Sequence, residues 1–326
     1  MTFAKKALTF GTLAAIAGGA AASAGPALNG AGATFPAPIY QRWFQDLAAS
    51  GGAKVNYQSV GSGAGVRQYI AGTVDFGATD EPIKDAEAAK VKRGVIQFPA
   101  VGGTIAIAYN KAGCDLKLTQ KQAAEIFLGK INDWSQLKCG KGKITVAHRS
   151  DGSGTTFAFT NSLSTFSPEF KSKVGEGKSV KWPVGVGGKG NEGVAGVLSN
   201  TPGSIGYVNQ SYVKGAIKAA ALQNKAGKFV KPGFKSGSAA LNNIKLNANL
   251  AGEDPNPAGA ESYPITTLTW ILAYKGGNGA KAGELREAFN YMLGNKAQGL
   301  ADNLGYVPLR GDILNKAKAA VGKIGS

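Results

Sequence analysis

Three observations in this 326-residue sequence predict a doubly wound α/β fold. Segments of alternating apolar and polar residues take turns along the chain with segments of helical spacing, the order that lays helices on the faces of a largely parallel sheet. Glycines and small polar residues gather where those strands run out and a helix begins, which is where such sheets hold their ligands. A content of 43% hydrophobic and 17% charged residues over this length suits two compact domains and argues against disorder.

In chain order, the first junction is Gly30-Ala31-Gly32-Ala33-Thr34-Phe35-Pro36, ahead of a helix whose Ile39, Trp43, Phe44 and Leu47 share one face. Thr34 can donate there from both hydroxyl and backbone. Lys54 to Val60 alternates as a strand, then enters Gly61-Ser62-Gly63-Ala64-Gly65 before a helical Val66 to Ile70, which places Ser62 at the turn. Val74 to Ala78 forms a short strand that ends beside Asp80, just before Pro82. The strand Ile144 to Ala147 leads into Arg149-Ser150-Asp151-Gly152-Ser153-Gly154-Thr155, and Thr156 to Phe159 starts a helix. Later, Thr267 to Leu272 has the pattern of a strand and Glu284 to Leu293 that of a helix. Between them Lys214 to Asn256, rich in Ala, Gly, Lys and Asn, has weak periodicity.

The stretch from Arg149 to Thr155 has the chemistry of an oxyanion cradle. A guanidinium offers a planar fork of donors, and Gly152 and Gly154 let main-chain N–H groups approach a ligand without Cβ interference. A helix opening there aims its unpaired N–H groups and positive dipole end at the same anion. The alternative is an ordinary surface turn with an N-cap. Donors alone do not distinguish phosphate from sulfate. Asp80 would: an ionised carboxylate only accepts hydrogen bonds, so it is satisfied by the proton that phosphate still carries and repelled by sulfate, which carries none. A helix cap is the other role open to Asp80.

Taken together, Gly-Ala-Gly-Ala-Thr-Phe-Pro-Ala-Pro at 30 to 38, Val-Asp-Phe-Gly-Ala at 74 to 78 with Asp80, and Asp-Gly-Ser-Gly-Thr at 151 to 155 closely resemble the periplasmic phosphate-binding proteins of bacterial Pst-type ABC transporters. Lys181-Trp182-Pro183-Val184-Gly185, Gly187-Gly188-Lys189-Gly190-Asn191, Gly203 to Val208 and Tyr263 to Thr267 fit the same family, so that the resemblance covers nearly all of the chain after residue 27. It implies that phosphate oxygens are bound by Thr34, Phe35 through its backbone N–H, Ser62, Arg149, Ser153, Gly154 and Thr155. Asp80 would accept the ligand proton, and Asp151 would orient Arg149. Two departures from the commoner pattern touch neighbours rather than donors: Glu81 after the key carboxylate, and the Gly-Ala pair within 61 to 65. A second acid at 81 would weaken anion binding if it faced the site and do nothing if it pointed outward.

The resemblance further implies a two-lobed periplasmic-binding-protein fold of type II, two doubly wound domains joined by a hinge with the ligand between them. Lobe I would comprise residues 25–108 and 267–326, and lobe II residues 109–266. Phosphate bridging the lobes would favour the closed form, the state read by the membrane permease subunits of the transporter. The implied protein is a monomer that uses no cofactor and performs no catalysis.

Residues 1–24 have the pattern of a secretory signal peptide: Lys5 and Lys6, an apolar run from Leu8 to Ile16, and Ala22-Ser23-Ala24 for cleavage, giving a periplasmic chain from Gly25. In an oxidising compartment Cys114 and Cys139, the only cysteines, are best read as one disulfide, against two unpaired thiols. Such a loop closure contributes on the order of 3 kcal/mol. The net charge of +17, or +15 without the two signal lysines, is unusually basic. It could speed an anion's approach, hold the chain near anionic surfaces, or be a solvated bias without a partner. Nucleic acid is not implied, because the lysines are scattered through Gly- and Ala-rich loops rather than clustered with stacking aromatics.

Enzyme readings mostly fail on the residues. The single histidine, His148, has no nucleophile elbow to join, since Ser153 is flanked at 151 and 155 by Asp and Thr rather than Gly. The usual His and Cys ligands of a catalytic metal are missing. Gly185 to Gly190 matches G-x-G-x-x-G without the acidic residue a dinucleotide site needs, and Gly177-Lys178-Ser179 lacks the opening glycine of a phosphate loop. Two alternatives stay open: a phosphate-ester hydrolase, which would turn over a chromogenic ester, and a polyanion-binding envelope protein, whose binding would vanish with modest salt.

Overall fold

A computed structural model describes Thr2 and residues 27–326, so the leader read over 1–24 lies outside the described residues apart from that threonine. A nine-stranded mixed sheet organises the rest: β1 (Leu28–Gly32), β2 (Val55–Ser59), β3 (Phe76–Thr79), β4 (Val95–Asn110), β5 (Thr145–Arg149), β6 (Val186–Gly188), β7 (Ser204–Asn209), β8 (Lys218–Ala219) and β9 (Thr266–Tyr274). The strand order is β2-β1-β3-β9-β4-β7-β5-β6, with β8 also on β4. Within each half the βα units run parallel, β1 beside β2 and β3, and β5 beside β6 and β7. The long strands are antiparallel to their neighbours, β9 to β3 and β4, and β4 to β7.

β4 makes two lobes of one sheet. Its first part pairs with β9 as far as Thr104↔Thr266, and from Ile105↔Asn209 onward it pairs with β7. The chain thus crosses between halves inside a strand whose residues 96–109 are all buried. Pro99 lies in this central strand although it cannot donate to a ladder. The register slips there, with Val101 opposite Thr269 and Pro99 opposite Trp270, and Gln298 donates its side-chain amide to the carbonyl of the skipped Ala100 at 2.9 Å.

The eight longer helices are α1 (Ala37–Ala49), α2 (Ser62–Ala71), α3 (Gln120–Phe127), α4 (Gly154–Phe166), α5 (Gly190–Asn200), α6 (Phe234–Leu241), α7 (Ala282–Met292) and α8 (Gly311–Val321). α1 buries the apolar face read from the sequence, Ile39, Trp43, Phe44 and Leu47, and Trp43 donates its indole N–H to Ala297 O at 2.8 Å. Phe44, Tyr57, Phe76 and Phe289 join α1, β2, β3 and α7 through a chain of ring contacts at 5.3–6.5 Å. α2 begins at Ser62, four residues earlier than the spacing from Val66 indicated.

The weakly periodic 214–256 segment holds β8, two further short strands at Ala221–Gln223 and Phe229–Val230, and α6. Asn224 organises its turn, accepting from the N–H groups of Ala226 and Lys228 while its amide donates to Gly259, Ala260 and Ser262 carbonyls. Cys114 and Cys139 are joined by a disulfide, with Cα atoms 5.3 Å apart. No helix among the described residues is long and apolar enough to cross a membrane.

Candidate functional site

Four strand ends converge on one buried point. After β1, the Thr34 carbonyl accepts from the Tyr212 hydroxyl and the Phe35 carbonyl from the Tyr306 hydroxyl, each at 2.7 Å. The Phe35 ring fills the space over Gly103, where a Cβ would lie 2.7 Å from Phe35 Cζ. Ser62 opens α2, which the chain enters through Gly61 at φ 88°, a conformation that favours glycine. Its hydroxyl accepts the Asp80 N–H at 3.3 Å. Asp80 follows β3 and is 1% exposed; its Oδ2 accepts from the Thr155 hydroxyl at 3.2 Å, whereas its Oδ1 has no hydrogen-bond partner.

From the other lobe, Arg149 ends β5 and is gripped by Asp151 in a bidentate pair, Nε to Oδ1 at 2.8 Å and Nη2 to Oδ2 at 2.6 Å. Its remaining nitrogen, Nη1, reaches the Thr155 hydroxyl at 3.4 Å. Ser153 caps α4 by accepting the Thr156 N–H at 2.9 Å, which leaves the N–H groups of Gly154 and Thr155 at the open end of the helix. Gly154 is there because nothing larger fits: a Cβ would meet the Asp80 nitrogen at 2.6 Å and the Ser62 hydroxyl at 2.7 Å. The lobes therefore meet across the site, and the Gly63 N–H donates to Gly152 O at 2.8 Å.

Burial sets the electrostatics. It pushes the Asp80 carboxyl up to about 7, against the downward pull of the neighbouring Thr269 hydroxyl, whose proton is directed to Thr79 O at 3.3 Å, the Arg149 charge and the Thr155 hydroxyl. Burial raises Asp151 too, but the hydrogen bond and charge of Arg149, with the Gly190 N–H, outweigh it and hold this carboxylate below its usual range. One acid is thus fixed as the guanidinium's partner, while the other is poised between its charged and neutral forms. Tyr207 is buried, with its hydroxyl raised to about 12; it accepts the Arg149 N–H at 3.2 Å and is hydrogen-bonded to the Thr156 hydroxyl at 2.6 Å.

The structure gathers Thr34, Ser62, Asp80, Arg149, Ser153, Gly154 and Thr155 at this point, with Asp151 behind Arg149 and Phe35 next to Thr34 in the chain. Asn191, which the sequence pattern alone does not single out as a site residue, joins them. Fully buried at the start of α5, it donates its backbone and side-chain N–H to the Thr34 hydroxyl at 3.0 and 2.9 Å and its amide to the Thr155 hydroxyl at 3.2 Å, tying donors of both lobes together. The signal was available: β6 runs out and α5 begins at Gly188-Lys189-Gly190-Asn191, the same pattern as at the other junctions. The G-x-G-x-x-G match ends there too, and the Gly190 N–H donates to Asp151 at 2.9 Å. Glu81 neither stands unpaired beside the cradle nor points outward. It is 2% exposed, with Lys84 and Lys178 ammonium groups 3.1 and 2.9 Å from its oxygens, an electrostatic contact rather than a directed hydrogen bond.

A two-lobed α/β chain with an anion cradle between its halves is a substrate-binding protein, and residues 19–296 match the family model of the PBP superfamily domain. Over 308 residues it is 44% identical to the phosphate-binding protein PstS of Haemophilus influenzae, covering 90% of this chain and 91% of that one. It is 35% identical to PstS of Methanocaldococcus jannaschii over 90% of this chain and 85% of that relative. The chain belongs to the PstS family of phosphate-binding proteins. The fold is shared with the phosphate-binding protein of Stenotrophomonas maltophilia, at TM-score 0.75 and 22% identity over 90% of this chain and 93% of that one. It is also shared with a Clostridium perfringens protein crystallised with bound phosphate, at TM-score 0.67 and 17% identity over 87% of this chain and 100% of that one.

Proposed function

We propose that this chain binds inorganic phosphate between its lobes in the periplasm and delivers it, as a monomer and without catalysis, to the membrane permease subunits of a phosphate ABC importer. The observation that carries the reading is the unpartnered, buried Oδ1 of Asp80 beside the Arg149 guanidinium and the open end of α4. A cage of donors with one free acceptor suits an oxyanion that still holds a proton. Thr34, the Phe35 N–H and Ser62 would bind from lobe I, together with Asp80. Arg149, Ser153, Gly154 and Thr155 would bind from lobe II.

The test is calorimetric titration of protein unfolded and refolded to strip carried-over ligand, with phosphate in the presence and absence of excess sulfate. Tight one-to-one binding undisturbed by sulfate is expected. Equal competition by sulfate would leave an oxyanion cradle without phosphate selectivity, and absence of binding would remove the assignment.

A further inference from the structure

We propose that Lys178 is a positioning residue that clasps the two lobes shut and sets how long the ligand stays, a role that rests on the phosphate reading above. Its backbone carbonyl accepts the N–H of Ser153, the cap of α4 in the cradle, at 2.8 Å. Its ammonium group crosses the cleft to Glu81 at 2.9 Å and Glu87 at 3.1 Å, both on the chain that follows β3. One residue thus holds the helix that presents donors and, through Glu81, the neighbour of Asp80.

Charge and burial give the contact its weight. The Glu81 side chain is 3% exposed and follows the anion's proton acceptor in sequence, so its uncompensated charge would oppose an anionic ligand. Lys84 also reaches Glu81, but its side chain is 63% exposed and therefore largely screened by solvent. The Lys178 side chain is 16% exposed and comes from the opposite lobe, so full compensation exists only while the lobes are closed. Opening the cleft separates Lys178 from two carboxylates at once. The clasp therefore acts on release rather than on encounter.

The experiment compares wild type, Lys178→Met, Lys178→Arg and Glu81→Gln/Glu87→Gln, and adds Lys178→Met to the last background. Phosphate association and dissociation rates are read by stopped flow, and exchange of the Gly63 amide, which bonds Gly152 across the cleft, by NMR. Lys178→Met should speed dissociation roughly tenfold, as expected for breaking a mostly buried ion pair, and leave association within about twofold. Lys178→Arg should largely restore slow release, and in the Glu81→Gln/Glu87→Gln background Lys178→Met should change it less than about twofold. Equal effects in both backgrounds, or an effect confined to association, would overturn the clasp. If wild type took up no phosphate the functional reading would fail by itself. Gly63 exchange in ligand-free protein would then decide the clasp, faster in Lys178→Met supporting it and equal in both refuting it.

Discussion

Under the proposed role of Asp80 as acceptor of the ligand proton, specificity and stability oppose each other at this residue. Its carboxyl is pushed up to about 7, chiefly by burial, so folding favours its protonated form. The sign follows from linkage: the raised folded value means the group imposes no penalty below its unfolded value near ~4, and a growing one as pH rises through about 7. Asp80→Asn should therefore stabilise the closed arrangement, with little gain at pH 4 and roughly 1–3 kcal/mol at pH 8. Chemical denaturation at both pH values reads this, and a gain that did not grow with pH would refute the burial account. The same variant replaces an acceptor by a group that can donate, so its preference for phosphate over sulfate should fall at least about tenfold in competition calorimetry.

At the scale of elements, the cradle depends on how closely the α4 N-terminus approaches β3. The contact is so tight that a methyl group at Gly154 would overlap the Asp80 backbone and the Ser62 hydroxyl of the opposite lobe. Gly154→Ala should weaken phosphate binding by at least about tenfold while changing the ligand-free unfolding free energy by less than about 1 kcal/mol, since α4 itself tolerates alanine. An equal loss of stability would place the clash inside one lobe. Much of this element-level geometry was legible in the sequence, because strand-to-helix junctions concentrate Gly, Ser and Thr whatever the rest of the chain does. α1 and β2 follow their spacing, and Thr34, Ser62, Asp80 and Arg149 stand at the predicted ends. Other features were not legible. The run through Pro99, Gly102 and Gly103 in β4 looks like a loop locally and becomes a strand only because β9 and β7 pair with all but one of its 16 residues. Likewise, nothing local joins Lys178 to Glu81, which are 97 positions apart, or Asn191 to Thr34, 157 positions apart.

For the molecule as a whole, a binding protein must move one lobe against the other while each lobe keeps its own shape. The Cys114–Cys139 bridge serves the second need. It ties the end of β4 to the turn after Trp134–Leu137, where Tyr109 donates to the Cys114 carbonyl at 2.9 Å and Trp134 donates its indole N–H to Gly203 O at 3.0 Å. None of these groups touches the cradle residues, and the bridge closes a loop with a sequence separation of 25, so its contribution falls on the unfolded chain and should be about 3 kcal/mol. Replacing both cysteines by serine should therefore lower the unfolding free energy by about that amount and leave the phosphate dissociation constant within about twofold. Denaturant melts and calorimetry on the same samples separate the two effects. A large loss of affinity without loss of stability would mean that the bridge governs lobe closure instead, and that the moving parts of this protein extend to the far end of β4.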